Sequence, residues 1–381
     1  TRKIYNQHMP ILGTCYGQKW IPSQNAAKVE GKGKKQFGRV RLRIQKTKLF
    51  EGFSEYETVW FSHGDQVETL PKGFAKIAYT NDVKIAAFQN TKKNIFAIQF
   101  HPEVSHTPKG DVLLKNFLFK IANAKKDWSI KKIKDEIVED IKNRTNDKKI
   151  VMAVSGGVDS LVAASIIKEA NPKNLYLIFI DTGLMRKKEV EEIKLILKKV
   201  NFKNFQIVDA KKIFLRSLKK ITDPEKKRKI IAKLYFQILE KHAKKIRNVY
   251  FLGQGTIYPD RIESAQPNKH ANKIKSHHNV TLPKKLNLEV LEPLADFYKD
   301  EVRMLGASLG IPQEFLNRHP FPGPALAIRV LGEITEEKLK ILREVDDIFI
   351  SELKSAKIYN NIGQAFAAIL PIKSVGVMGD A

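Results

Sequence analysis

The sequence predicts an α/β protein with two doubly wound parallel-sheet domains and a partial α+β stretch after them. Three observations predict it. Short apolar runs rich in β-branched and aromatic residues recur at Ile150–Val154, Leu175–Ile180, Phe205–Val208 and Val249–Leu252. Stretches with apolar residues at helical spacing separate most of them. Two runs end in turns that carry glycines and chemically active side chains, Gly13-Thr14-Cys15-Tyr16-Gly17 and Ser155-Gly156-Gly157-Val158-Asp159-Ser160. Such strand–helix alternation means parallel sheets covered by helices, and 381 residues suffice for two or three domains.

In the first domain, taken as residues 1–124, Ile11 and Leu12 lead into Gly-x-Cys-x-Gly. This is the layout of a nucleophile elbow with cysteine in place of serine. The helix N-terminus behind it offers its dipole to a thiolate. Further on, Ile95–Phe100 alternates as a strand and delivers His101-Pro102-Glu103. Period two puts His101 and Glu103 on one side of the backbone, so His101 could take the thiol proton while Glu103 orients the imidazole. His63 and His106 are competing histidines, read as loop residues without a suitably placed carboxylate. Residues 111–122 read as an amphipathic helix closing the domain.

The second domain, 125–318, begins with a charged helical stretch and then the Ser155–Ser160 turn. A strand, a glycine-rich turn and a helix start present free backbone N–H groups to an anion. The turn lacks the Gly-Lys-Ser/Thr of a Walker loop. Asp181 ends the next strand and should lie beside Ser155, because strand C-termini form the crevice of a doubly wound sheet. Thr222-Asp223-Pro224-Glu225 reads as a helix start. Gly253-Gln254-Gly255 and Asp260 follow a fourth strand, and Glu263 comes one turn later. Residues 268–283 form a long polar segment with Lys275, His277 and His278, read as either a mobile lid or a disordered stretch; its histidines do not suggest a metal. The prolines and glycines of 320–324 mark a boundary. After them come a new strand, a helix over 335–354 and a strand over 365–370, which make the third domain, 319–381.

Composition narrows the class. A single cysteine excludes a disulfide framework and a cysteine-based zinc site. No apolar run reaches membrane-spanning length, and no signal peptide is expected at the start, which suits a cytoplasmic enzyme. The net charge of +27 is spread along the whole chain without a basic stripe interleaved with aromatics. A solvated lysine-rich surface is therefore expected, rather than a nucleic-acid partner.

Taken together, Cys15, the Ser62-His63-Gly64-Asp65 loop and His101-Pro102-Glu103-Val104 resemble the class I glutamine amidotransferases. The Ser155–Ser160 turn resembles the pyrophosphate loop of the ATP pyrophosphatases. Gly253–Asp260, Ile274–Asn279, Arg318–Pro324 and Lys373–Asp380 resemble, in order, the motifs of the glutamine-hydrolysing GMP synthetase family. Three departures stand out. Gln18-Lys19 follows Gly17 where Met-Gln is usual, Ala325 replaces a common glycine (read as a mild change), and only about ten residues precede the first strand, so an N-terminal segment carrying part of the oxyanion hole is expected to be missing.

The resemblance implies the amination of xanthosine monophosphate (XMP), with ATP, glutamine and Mg2+ required and no membrane partner. By the same resemblance Cys15 is the nucleophile, with His101 and Glu103 beside it. Ser155, Gly156, Gly157, Val158, Asp159 and Ser160 bind pyrophosphate, with Asp159 near Mg2+. Asp181, Gly255, Asp260, Glu263, Lys275 and His277 serve ATP. Arg228 and Gln364 contact XMP, and the C-terminal domain makes a homodimer. The competing reading is an RNA-modifying ATP pyrophosphatase; its sulfur-transferring members need cysteines in the pyrophosphatase domain, where this sequence has none.

Overall fold

The computed structural model describes residues 5, 7, 9–24, 29–30, 35–127, 129–264 and 288–372. The chain divides once, after Asp127, into two compact units.

In the first unit, β1 (Ile11–Thr14) runs into α1 (Tyr16–Ser23). Then come β2 (Val29–Glu30), β3 (Gln36–Ile44), β4 (Tyr56–His63), β5 (Gln66–Val67), β6 (Ala75–Tyr79), β7 (Ala87–Asn90) and β8 (Ile95–Ile98). Helix α2 (Gly110–Lys115) closes the unit and passes into a π-helical turn, Asn116–Ile121. The larger sheet has the order β1-β8-β7-β6-β3-β4, and β2 pairs with β5. The β1/β8 pair is parallel, and the other neighbours in this sheet are antiparallel. The α/β class holds, but this sheet is mixed rather than uniformly parallel. Strand β3 shows why: Leu42 and Ile44 are buried while Arg39, Arg41 and Arg43 are exposed. One wet face suits an antiparallel sheet, whereas a parallel sheet is normally covered on both.

The second unit begins with α3 (Ile130–Thr145), capped by Ser129, whose hydroxyl accepts from Lys132 N. The alternation that follows is β9 (Lys149–Ala153), α4 (Val158–Ala170), β10 (Leu175–Asp181), α5 (Glu189–Lys199) and β11 (Asn204–Asp209). Helices α6 (Lys211–Leu218) and α7 (Pro224–Ala243) lead to β12 (Val249–Gly253), α8 (Tyr258–Ser264) and β13 (Glu289–Leu291). The five strands run β11-β10-β9-β12-β13, with every pair parallel. Ile150, Val151 and Met152 of the central strand are wholly buried, as are Val162, Ala163, Ile166 and Ile167 of α4. The order turns back at β9, so the crevice of this doubly wound sheet lies at the C-terminal end of β9, beside β12.

Helices α9 (Lys299–Ser308) and α10 (Gln313–Leu316) precede the 320–324 cluster. The strand expected next is instead a 3-10 turn, Ala325–Ile328. The strand expected over 365–370 is reduced to one bridge, Val330 to Ile369. The helix expected over 335–354 is α11 (Glu336–Ser355), with Thr335 as its N-cap. Leu326, Val330, Leu339 and Leu342 join the same core as β9 and α4. Buried Lys227 of α7 donates to the carbonyls of Ala327, Val330 and Gly332 at 2.7–3.1 Å, which ties this segment to α7. Ala325 is not a mild replacement. It is buried with φ +53°, a left-handed backbone that costs an L-residue about 1–2 kcal/mol relative to glycine.

Candidate functional site

Two turns carry the reactive side chains, one in each unit. In the first, Cys15 sits between β1 and α1 with φ 47° and ψ −100°. A non-glycine residue there is strained, as a nucleophile elbow requires. The close approach that makes the turn needs Gly13, since a Cβ at that position would stand 2.7 Å from Ile21 Cδ1 and 2.9 Å from the Gly17 carbonyl carbon. The thiol donates toward the Ser62 carbonyl at 3.8 Å and receives Gln99 Nε2 at 3.8 Å. Both partners come from elements far away in sequence.

His101 follows β8 and stands with its Nδ1 2.6 Å from Glu103 Oε1. An ionised Glu103 accepts, so Nδ1–H donates and Nε2 is left as the proton acceptor. The expected His101–Glu103 contact is present. His63 ends β4 instead of lying in a loop. It is buried, and its Nδ1 is 3.0 Å from the Asp65 carbonyl. Burial, before any other influence, holds its imidazole below the ordinary value of 6.5. His106 packs its ring on Trp60 with centroids 4.5 Å apart. The 101–110 turn is tight because of Gly110, where a Cβ would fall 1.8 Å from the Pro102 oxygen.

In the second unit, the Ser155–Ser160 turn lies at the C-terminal end of β9. Gly156 has φ +83°, and a Cβ on it would meet Ile193 Cδ1 at 2.4 Å. The Ser155 and Ser160 hydroxyls lie 3.2 Å apart; Gly157 N–H donates to Ser155 Oγ at 3.3 Å, and Ser160 Oγ donates to the Gly157 carbonyl at 2.9 Å. The Val158 side chain is buried in the core, so only its backbone can face a ligand. Gly255 packs directly on this turn: a Cβ there would stand 2.9 Å from Ser160 N and 3.0 Å from Asp159 C.

Asp181 is buried at the end of β10. It accepts from Gly183 N at 2.9 Å and pairs with Lys211 Nζ at 3.1 Å. That hydrogen-bonded pairing raises the pKa of Lys211. Asp260 Oδ2 accepts from Ile257 N at 3.1 Å at the start of α8. Arg228 is exposed and pairs with Glu225 on its own helix at 3.6 Å, whereas Gln364 donates to the Pro320 carbonyl at 3.2 Å. These contacts do not join Arg228 to Gln364. Lys275 and His277 lie outside the described residues, as does the side chain of Glu263.

Sequence reasoning missed Lys299. Its Nζ donates to Asp159 Oδ1 at 2.5 Å, so the carboxylate assigned to Mg2+ has an ammonium beside it. A signal existed: a lysine in the first turn of a helix opposes the helix dipole and needs an anionic partner. Among the described residues no group of three or more His, Cys, Asp or Glu side chains could hold a metal. Mg2+ commonly uses one or two carboxylates and takes its other ligands from phosphates and water. Asp159 fits that limited role.

Two family descriptions match the chain, one within each unit. The description "Glutamine amidotransferase class-I" fits residues 1–121, and "NAD synthase" fits residues 129–257. A protein named GMP synthase [glutamine-hydrolyzing] from Thermotoga petrophila is 50% identical over 373 residues, 98% of this chain and 74% of that protein. The chain belongs to the glutamine-hydrolysing GMP synthase family. Members from Fusobacterium nucleatum and Aquifex aeolicus are each 47% identical over 381 residues, covering 99% and 100% of this chain and 74% of each relative. In this GMP synthase family chain, Cys15 lies in the amidotransferase match and the Ser155–Ser160 turn in the NAD synthase match. Among the described residues no helix is long and apolar enough to cross a membrane.

Proposed function

We propose that this chain makes GMP from XMP, ATP and glutamine. Cys15 attacks the side-chain amide of glutamine and forms a thioester; His101 passes the thiol proton to the departing ammonia, and Glu103 holds the imidazole. Water then releases glutamate. In the second unit the 2-oxo oxygen of XMP attacks the α-phosphorus of ATP, and pyrophosphate leaves. Ammonia displaces AMP from the adenylated base. Backbone and hydroxyl groups of Ser155, Gly156, Gly157, Val158 and Ser160 hold the leaving pyrophosphate. Bound Mg2+ would neutralise phosphate charge, with Asp159 as a protein ligand. Asp181, Gly255, Asp260 and Glu263 border the nucleotide, Lys275 and His277 also serve ATP, and Arg228 and Gln364 contact XMP.

The observation that carries this reading is the close packing of Gly255 on Ser160, in the same chain as a strained cysteine turn and a His101–Glu103 pair. We further propose a cytoplasmic homodimer built through residues 319–381, with no membrane or nucleic-acid partner. Ile341, Val345, Ile348 and Phe349 line an exposed apolar face of α11, which supports pairing there. The deciding assay is AMP release from ATP with candidate acceptors. XMP should be required, Cys15→Ala should abolish glutamine-dependent turnover by roughly 10³-fold or more, and ammonium should still support the Cys15→Ala enzyme. AMP release that ignores XMP and responds to tRNA would overturn the proposal.

A further inference from the structure

The backbone around the proposed base contains an unusual splice. His101 N–H donates to the Trp60 carbonyl at 3.0 Å, which begins a ladder between β4 and the His101 segment. The return bond, from Trp60 N–H to the His101 carbonyl, does not close directly. The Thr107 hydroxyl stands between the two groups. It accepts from Trp60 N–H at 3.1 Å and donates to the His101 carbonyl at 2.6 Å.

Thr107 is 4% exposed, so water cannot easily replace its hydroxyl, and an amide or carbonyl that loses its partner at this partly buried site is costly. Its own backbone is held on both sides: Thr107 N–H donates to the Val104 carbonyl at 3.0 Å, and the Thr107 carbonyl accepts from Gly110 N–H at 2.9 Å. Two residues beyond Trp60 on the same strand, the Ser62 carbonyl faces the Cys15 thiol. One hydroxyl therefore joins the strand that faces the nucleophile to the residue that carries the base.

We propose that Thr107 is a positioning residue for glutamine hydrolysis. It acts through the backbone of His101 and fixes the imidazole relative to the strand that meets Cys15. The proposal rests on the reading of Cys15 and His101 given above. A shift of an ångström in a catalytic group costs about 10²-fold in rate, so a small loosening here has a kinetic signature. The threonine methyl adds packing; the hydroxyl carries the effect.

The test compares Thr107→Val, Thr107→Ser and wild-type enzyme in the full chain, with glutamine and with ammonium as nitrogen source. The expected result is a kcat for glutamine at least tenfold lower in Thr107→Val. KM for glutamine should stay within about twofold, ammonium-dependent AMP formation should be unchanged, and Thr107→Ser should recover to within about threefold of wild type. If Thr107→Val does not fold, Thr107→Ala removes the hydroxyl without placing a methyl against the carbonyl, and the same loss is expected of it. The proposal is overturned if the folded hydroxyl-free variant keeps its glutamine kcat, if Thr107→Ser is as impaired as that variant, or if the loss falls on KM alone. Wild type and Cys15→Ala run alongside separate the two readings. Equal glutamine hydrolysis in both removes the assignment of Cys15 and this proposal with it, whereas a defect confined to Cys15→Ala leaves the nucleophile in place and overturns only Thr107.

Discussion

The cysteine turn and the serine–glycine turn share one plan, a strand end, a tight bend and a helix start, yet they are stabilised in opposite ways. The hydroxyls of the phosphate-type turn are satisfied by its own residues, and among the described residues only Asp159 takes a side-chain partner from afar, Lys299. Gly156 takes the positive φ, and Ser155, Gly157 and Ser160 satisfy one another. The cysteine turn puts the strain on the functional residue itself, and its partners Ser62, in β4, and Gln99, just after β8, are distant in sequence. A group that binds an anion through backbone N–H donors can be assembled locally. A nucleophile needs a base, an orienting carboxylate and a fixed direction of attack, which a few consecutive residues cannot supply.

The largest effect should come from moving strain onto the self-contained turn. Gly156→Ala combines a left-handed backbone, costing about 1–2 kcal/mol, with a Cβ 2.4 Å from Ile193 Cδ1, where overpacking costs about 1–3 kcal/mol. Melting of the second unit should drop accordingly, and XMP-dependent AMP formation should fall in the same variant. An unchanged melt would show that the turn is not held as tightly as Gly156 implies.

The mirror experiment removes strain from the other turn. Cys15→Gly and Cys15→Ala both abolish glutamine turnover, but the glycine variant should be the more stable by about 1 kcal/mol, because only alanine keeps the penalty of φ 47°. Equal melting points would mean that the turn relaxes when the thiol is absent, and the contrast between the two turns would lose its energetic basis.

The smallest effect concerns acid. Burial depresses the His63 pKa in the fold below the ordinary 6.5. The unfolded chain therefore binds this proton first, so the stability that neutral His63 contributes is complete above 6.5 and is lost as pH falls below it. The slope from one such group cannot exceed about 1.4 kcal/mol per pH unit. Thermal melts of the first unit between about pH 7 and 5, which spans the ordinary imidazole value of about 6.5, should show a shallower decline in His63→Gln than in wild type. A steeper decline would reverse the sign assigned to His63.

Much of the fold could be read locally. Ile150–Val154 is a strand over Lys149–Ala153 because an unbroken apolar run suits a strand buried on both faces, and Asp223 and Thr335 cap helices because their side chains reach N–H groups three residues on. The strained bend at Cys15 and the His101–Glu103 contact were legible because the elbow and the period-two offset are short-range patterns. Strand-like composition at 325–330 and 365–370 misled, because buried Lys227 gathers the carbonyls of the first into a turn and the N–H groups of Ala365 and Ala367 go to His319 and Asp346.

By itself, then, the sequence determined which segments could bend tightly and present a reactive group, since glycine placement and hydrophobic period are properties of neighbouring residues. Tertiary structure alone decided the mixed sheet of the first unit, the packing of Leu326, Val330, Leu339 and Leu342 into the core of the second, the meeting of Lys299 with Asp159 and the insertion of Thr107 between Trp60 and His101. Each of these depends on groups brought together across the chain by burial, and hydrogen bonds or ion pairs between such groups leave no fixed spacing in the sequence.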